Sequence, residues 1–284
     1  MVFLLLATAL ATALSACGHG EANAPEAAAD VPRAAELAAG ALEALDSAGS
    51  AHYVLDARLE FTREAAERGA ALGDQPITLH AEGDGSRDRA TADLVLDLGE
   101  STIAARILAD KRSFFVRFMD VWYGKVGAGF DPEAAREYEL LTPERVREYF
   151  DDVFVGEVSD GPDVGGKATW KFEGHLNVDG LVALVEEYQG DLHETAMDQL
   201  RAFGEVTRLS FLVGKDDGLP YRQAVDLNLT HDQALKADED PPVDSLELQL
   251  VLELSEFGKE VKLDPPERYE PLDKLVEELF AGLR

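Results

Sequence analysis

Leu246-Glu247-Leu248-Gln249-Leu250-Val251-Leu252-Glu253-Leu254 places a leucine at every second position, with mostly polar residues between. A period of two sends the leucines to one face of a strand and their neighbours to the other. One such strand is unstable alone, and the sequence supplies partners of the same kind. Ala51, Tyr53, Leu55, Ala57, Leu59 and Phe61 alternate with His52, Asp56, Arg58 and Glu60. Ile77, Leu79 and Ala81 lead through Gly83-Asp84-Gly85, read as a turn, into Ala92, Leu94, Leu96 and Leu98. Ile103, Ala105 and Ile107 follow, then Phe114, Val116 and Phe118 running into Trp122-Tyr123-Gly124. Ala168, Trp170 and Phe172 make a further strand, and Leu209, Phe211 and Val213 pass through Lys215-Asp216-Asp217-Gly218 to Tyr221, Val225, Leu227 and Leu229. Glu260-Val261-Lys262-Leu263 is expected to close the series before Pro265-Pro266.

Helical spacing interrupts this meander. Ala34, Leu37, Ala38, Ala41, Leu42 and Leu45 recur at three and four residues and stop near Gly49. Thr142-Pro143-Glu144 is an N-cap and first-turn signature for a helix to about Asp152. Asn177 precedes Leu181, Leu184 and Val185, and further helical stretches are expected near 190–203 and 271–281. Connections are mostly hairpin length and no strand is apolar on both faces, so the sheet should be antiparallel. Its apolar face must be buried by closure into a barrel or by capping helices, with 34–47 and 177–203 as candidates. No repeat and no linker follows residue 33, which predicts one domain over 34–284.

The N-terminus speaks to compartment. Residues 1–16, MVFLLLATALATALSA, are uncharged and have the length of a signal-peptide apolar core. Leu14-Ser15-Ala16-Cys17 resembles the lipobox of bacterial lipoproteins, and Cys17 is the only cysteine in the chain. The resemblance implies cleavage before Cys17 and acylation of that residue. Residues 18–33 are rich in Ala, Glu, Pro and Gly with no periodic face and read as a tether.

Composition excludes several classes. The 284 residues carry 56 Asp plus Glu against 26 Lys plus Arg, a formal charge of −30. A surface of that sign repels phosphates, so nucleic acid is not an expected partner. It also disfavours lying on anionic lipid, leaving the acyl anchor as the membrane link. No Gly-x-Ser-x-Gly elbow is present, His193-Glu194 lacks the second histidine of a zinc protease helix, and the glycines at 124–129 precede no phosphate-loop lysine. The six histidines are scattered singly, with no helix face or strand pair shared between them. No enzyme activity, no cofactor and no metal site are expected.

The order of elements resembles the LolA-like superfamily, within it the LppX and LprG group of actinobacterial lipoproteins. The likeness rests on the lipobox, the tether, the long meander with helical insertions, the hairpin Asp217-Gly218-Leu219-Pro220-Tyr221-Arg222, and Phe257-Gly258-Lys259-Glu260-Val261 running into Pro265-Pro266. It implies an α+β fold: a strongly curved antiparallel half-barrel of about nine to eleven strands, with helices over the concave face. It also implies an acylated lipid or glycolipid carried in the space between, at the outer face of a bacterial cell membrane, with an envelope transporter as a further partner. The expected wall is Leu59, Phe61, Leu94, Leu96, Phe114, Phe118, Trp170, Phe172, Leu209, Phe211, Leu227, Leu248 and Leu250. Trp122 and Tyr123 stand at a strand end, where they either rim an opening or anchor in the core. The alternative to a carrier is a lipid-anchored interaction module with a filled core. The segment from Tyr269 to Arg284 lies beyond the likeness.

Overall fold

The computed structural model describes residues 31–62, 75–99, 101–127, 142–189, 207–229 and 245–275. Its first elements are α1 (Ala34–Ala48), β1 (Ser50–Thr62), β2 (Ile77–Ser86), β3 (Arg89–Asp97), β4 (Thr102–Asp110), β5 (Ser113–Phe118) and β6 (Val121–Val126). After these come α2 (Pro143–Val153), β7 (Phe154–Asp160), β8 (Thr169–Leu176), α3 (Val178–Gln189), β9 (Thr207–Gly214), β10 (Pro220–Leu229), β11 (Ser245–Ser255) and the two-residue β12 (Glu270–Pro271).

All twelve strands belong to one curved, unclosed sheet in the order β12-β6-β5-β4-β3-β2-β1-β11-β10-β9-β8-β7. The leucine-alternating strand β11 pairs with β1 over eleven residues, from His52 opposite Ser255 to Thr62 opposite Ser245. The pairing of β1 with β11, far apart in the chain, therefore closes the middle of the sheet, and two meanders spread outward from that seam. The α+β half-barrel is as expected, with two differences. Strands β6, β7 and β12 bring the count to twelve, β6 being split from β5 by a turn at Met119-Asp120, and β12 runs parallel to β6, with Glu270 opposite Tyr123. Strand β7 escapes the sequence pattern because its residues are mostly exposed and Val155, Glu157 and Ser159 give it little apolar alternation.

Three local expectations change. Gly83-Asp84-Gly85 is not a turn: β2 continues to Ser86 and the chain reverses at Arg87-Asp88. Gly83 is needed for close approach, since a Cβ there would lie 1.8 Å from the Thr91 carbonyl oxygen. The stretch 260–263 is not a strand. It is held instead by single contacts, with Ser50 Oγ donating to the Lys259 carbonyl (2.7 Å) and Arg89 donating to that of Val261 (3.3 Å). Of the expected terminal helix, 272–275 is helical and the rest lies outside the described residues, as does the helix expected at 190–203.

The helices start and stop where their chemistry allows. The Thr142 hydroxyl accepts from the Arg145 N–H (3.3 Å) ahead of Pro143 in the first turn of α2. α1 ends at Gly49 in the left-handed region (φ 75), whose N–H donates to the carbonyls of Leu45 and Asp46. Arg147 of α2 reaches both Glu36 (3.1 Å) and Glu43 (2.7 Å) of α1, and Arg33 pairs with Asp151 (2.6 Å). Asn177 hydrogen bonds the Asp152 carbonyl (2.7 Å), joining the start of α3 to the end of α2.

Candidate functional site

Residues directly opposite in an antiparallel pair share a face, so the register can be followed across the sheet. One row reads Val121, Phe118, Ala105, Leu94, Ala81, Leu55, Leu252, Gln223, Phe211, Phe172, Val158. It crosses eleven strands with Gln223 as its one polar member. The next row reads Ile103, Leu96, Leu79, Ala57, Leu250, Val225, Leu209, Gly174, Gly156 and contains no polar side chain. With strands about 4.8 Å apart, the longer row is an apolar band of about 48 Å along the arc.

The wall residues expected from sequence, Phe61 apart, fall on this face. Leu59, Leu248 and Leu227 form one cross-strand set, Phe61 is opposite Leu246, Phe114 is opposite Ala109, and Trp170 is opposite Val213. The side chain of Phe61 lies outside the described residues. Burial divides the others. Trp170, Phe172, Phe211, Leu227 and Leu248 are buried, whereas Leu59, Leu94, Leu96, Phe114, Phe118, Leu209 and Leu250 are half-buried.

On β8 and β9 the burial comes from the helices. Leu37 and Ala41 of α1 join Trp170, Phe172, Phe211 and Val213 in one cluster, with Phe150 of α2, Phe154, Val158 and Leu209 packed against it. Phe172 is fully buried; its ring stacks on Phe211 (4.9 Å) and meets Phe150 edge-on (5.3 Å). It lies where Gly156 and Gly174 would otherwise carry a Cβ. Farther along, Leu45 closes a second cluster with Ala51, Leu252 and Leu254. α2, from which sequence gave no cap, is thus part of the cover. α3 meets α2.

Of the two aromatics at the strand end, Tyr123 is a core residue at 2% exposure, while Trp122 is half-buried on the opposite face. On the apolar face Tyr53 donates its hydroxyl to the Thr91 carbonyl (2.8 Å). Burial, with Asp84 and Asp93 nearby, pushes its phenol up to about 12.

The opposite face buries Leu108 and Phe115, the latter against Tyr269, but is mostly polar around β1 and β2, and here the histidines depart from expectation. His52 on β1 and His80 on β2 do share a strand pair: His52 Nδ1 is 2.9 Å from Asp84, and His80 Nδ1 is 2.7 Å from Asp56. These are cross-strand neighbours that sequence alone could not align. His52, Asp84 and Glu256 place ligand-type atoms within 4.8 Å of one another, but the Lys259 ammonium already sits on Glu256 (2.5 Å). A shallow hollow of about 230 Å³ lies at the His80–Asp56 pair instead, lined by Asp56, Arg58, Thr78, His80, Gln249 and Val251 among others. His175 on β8 stands opposite Arg208 and Val155, and the histidines at 19, 193 and 231 lie outside the described residues, as does Cys17. No helix of the described residues is long and apolar enough to cross a membrane.

No family model matches the chain, and no curated protein does. Among solved structures it is similar to LprF from Mycobacterium bovis, at 11% identity and a TM-score of 0.42, covering 82% of this chain and 96% of that one. It is likewise similar to the Mycobacterium tuberculosis lipoprotein LppX, at 14% identity and a TM-score of 0.42, covering 81% and 98%.

Proposed function

We propose that this chain is a cell-envelope lipoprotein, acylated on Cys17, that binds an acylated lipid or glycolipid on its apolar face and carries it across the envelope. The observation that carries the reading is the apolar band over eleven strands, covered by α1 and α2 over β8 and β9 and half-buried at Leu59, Leu94, Leu96, Phe114 and Phe118 beyond β11, where Ala81, Ala92 and Tyr123 are its buried members. An acyl chain in water costs about 0.8 kcal/mol for each exposed CH₂. A half-covered band recovers that cost through burial, with no bond made or broken. Half-buried Leu59, Leu94, Leu96, Phe114, Phe118, Leu209 and Leu250 are the residues proposed to touch cargo. Buried Trp170, Phe172, Phe211, Leu227 and Leu248, with Phe61 beside Leu246 in the register, form the rest of the wall. The anchor holds the domain at the outer face of the membrane, where an envelope transporter is its partner.

Native mass spectrometry of residues 18–284, exported from a bacterial host, tests this before and after solvent extraction. A discrete extra mass that leaves with solvent and fragments as a lipid is the expected result. A clean mass that stays clean after incubation with envelope lipids would leave an anchored module with a filled core.

A further inference from the structure

Strands β5 and β6 are joined by Met119 and Asp120, both in the left-handed region (φ 46 and 65). Two-residue hairpin turns of this hand favour Asn and Gly, because a Cβ is strained there. This turn carries instead a methionine that is 79% exposed, the highest value among the exposed large apolar side chains of the described residues. Phe118 before it is half-buried, Val121 after it is 39% exposed, and the Trp122 indole stands half-buried just behind. The one acid of the tip, Asp120, is paired with Arg117 at 2.6 Å. The result is an apolar point whose only charge is internally balanced.

Register locates this point. Phe118 is opposite Ala105, close to the start of β4 at Thr102, on the end of the sheet where β3 finishes at Asp97 and β7 begins at Phe154. α1 begins at that same end, since Ala34 packs in the cluster with Phe150, Phe154 and Leu209, and Arg33 pairs with Asp151. Its other end, at Leu45, packs on Ala51 and Leu254. The chain that leads back to Cys17 therefore leaves from the end that bears the Met119 tip. Fully extended, the residues between Cys17 and Arg33 reach at most about 55 Å.

We infer that the β5–β6 tip, formed by Phe118, Met119 and Val121 with Trp122 behind them, is a membrane-contact point. It seats the half-buried stretch of the apolar band at Leu94, Leu96, Phe114 and Phe118 against the bilayer that holds Cys17. The inference rests on the anchored-carrier reading above and adds the surface through which that carrier meets lipid. A flexible apolar tip backed by an indole suits the headgroup boundary. The formal charge of −30 opposes contact by the domain's acidic surfaces, so a charge-balanced tip is the part that can approach.

The test uses the full acylated chain in phosphatidylcholine vesicles. Cys17 is the only native cysteine, so its thioether leaves Met119→Cys as the sole thiol for an environment-sensitive fluorophore. Val126→Cys, 57% exposed at the far end of β6, is the comparison. At position 119 the emission should rise about threefold on reconstitution and be quenched by spin-labelled acyl chains, while position 126 should respond to neither. Equal behaviour at the two positions would overturn the inference. So would a rise at 119 that spin-labelled lipid does not quench, since that reports contact with protein. Mass spectrometry of the labelled chain reads the anchor separately: a second label on Cys17 would remove the anchor and the inference with it. Absence of cargo in native spectra, with a quenched label at 119, would instead sink the carrier and leave the contact standing.

Discussion

Two stretches of one face, built by the same alternation of residues, end in different states. On β8 and β9, Phe172, Trp170, Phe211 and Val213 are sealed under α1 and α2. On β3, β4 and β5, Leu94, Leu96, Ile103, Phe114 and Phe118 remain half-buried. The period of two decides which face is apolar, but it is silent on what covers that face. Cover depends on where a helix docks, and here α1 docks through small residues, Ala34, Ala38 and Ala41, that let it lie close to the ring layer of Phe150, Phe172 and Phe211.

The contrast can be broken most directly by truncation. Phe172→Ala should cost about 3–5 kcal/mol, because a sealed ring leaves a cavity. Phe118→Ala, at the open end, should cost about a third of that, as its ring is already partly in water. Urea denaturation of the two variants measures both, and equal losses would mean that the two halves are equally closed. Next in size, Leu96→Trp should lower lipid loading severalfold, as read by native mass spectrometry, with a cooperative melt retained. The same swap at Trp170-side positions should instead damage folding. Unchanged loading across several replacements at Leu94, Leu96 and Leu59 would contradict the carrier.

Tyr53 offers a smaller effect with a defined sign. Its folded-state pKa of about 12 lies above the ordinary 10.0, so the folded protein holds the phenol proton more tightly than the unfolded chain. That contribution is complete below pH 10 and fades as pH rises toward 12. Thermal melts across this window should fall more steeply for the native chain than for Tyr53→Phe, and parallel curves would contradict the assignment. Smallest is Arg147→Met, which releases Glu36 and Glu43 at a partly exposed site. A loss of about 1 kcal/mol or less is expected, shrinking at high salt. A larger loss, insensitive to salt, would show that the guanidinium holds α1 over the sheet by packing rather than by charge.

Much of this was legible in residues. Alternation in 51–61, 92–98 and 246–254 placed its apolar members on one shared face, and Thr142-Pro143 and Gly49 marked helix ends where they occur. What could not be read was pairing between distant stretches. The approach of His52 to Asp84 and of His80 to Asp56 follows from the β1–β2 register, which no local pattern specifies. Strand β12 has two residues and no alternation to detect. The exposed tip at Met119 also escaped, because a methionine between Phe118 and Val121 reads as one more core residue until the turn is seen.

An open sheet of twelve strands has two borders, and each could template addition of another chain. On one border, β12 fills the free hydrogen-bonding side of β6 and ends in Pro271, which has no N–H to offer a further strand. On the other, β7 presents exposed Glu157 and Asp160, whose like charges would face each other in any edge-to-edge stack. Both borders of an open sheet with one greasy face are thereby guarded against fibril growth.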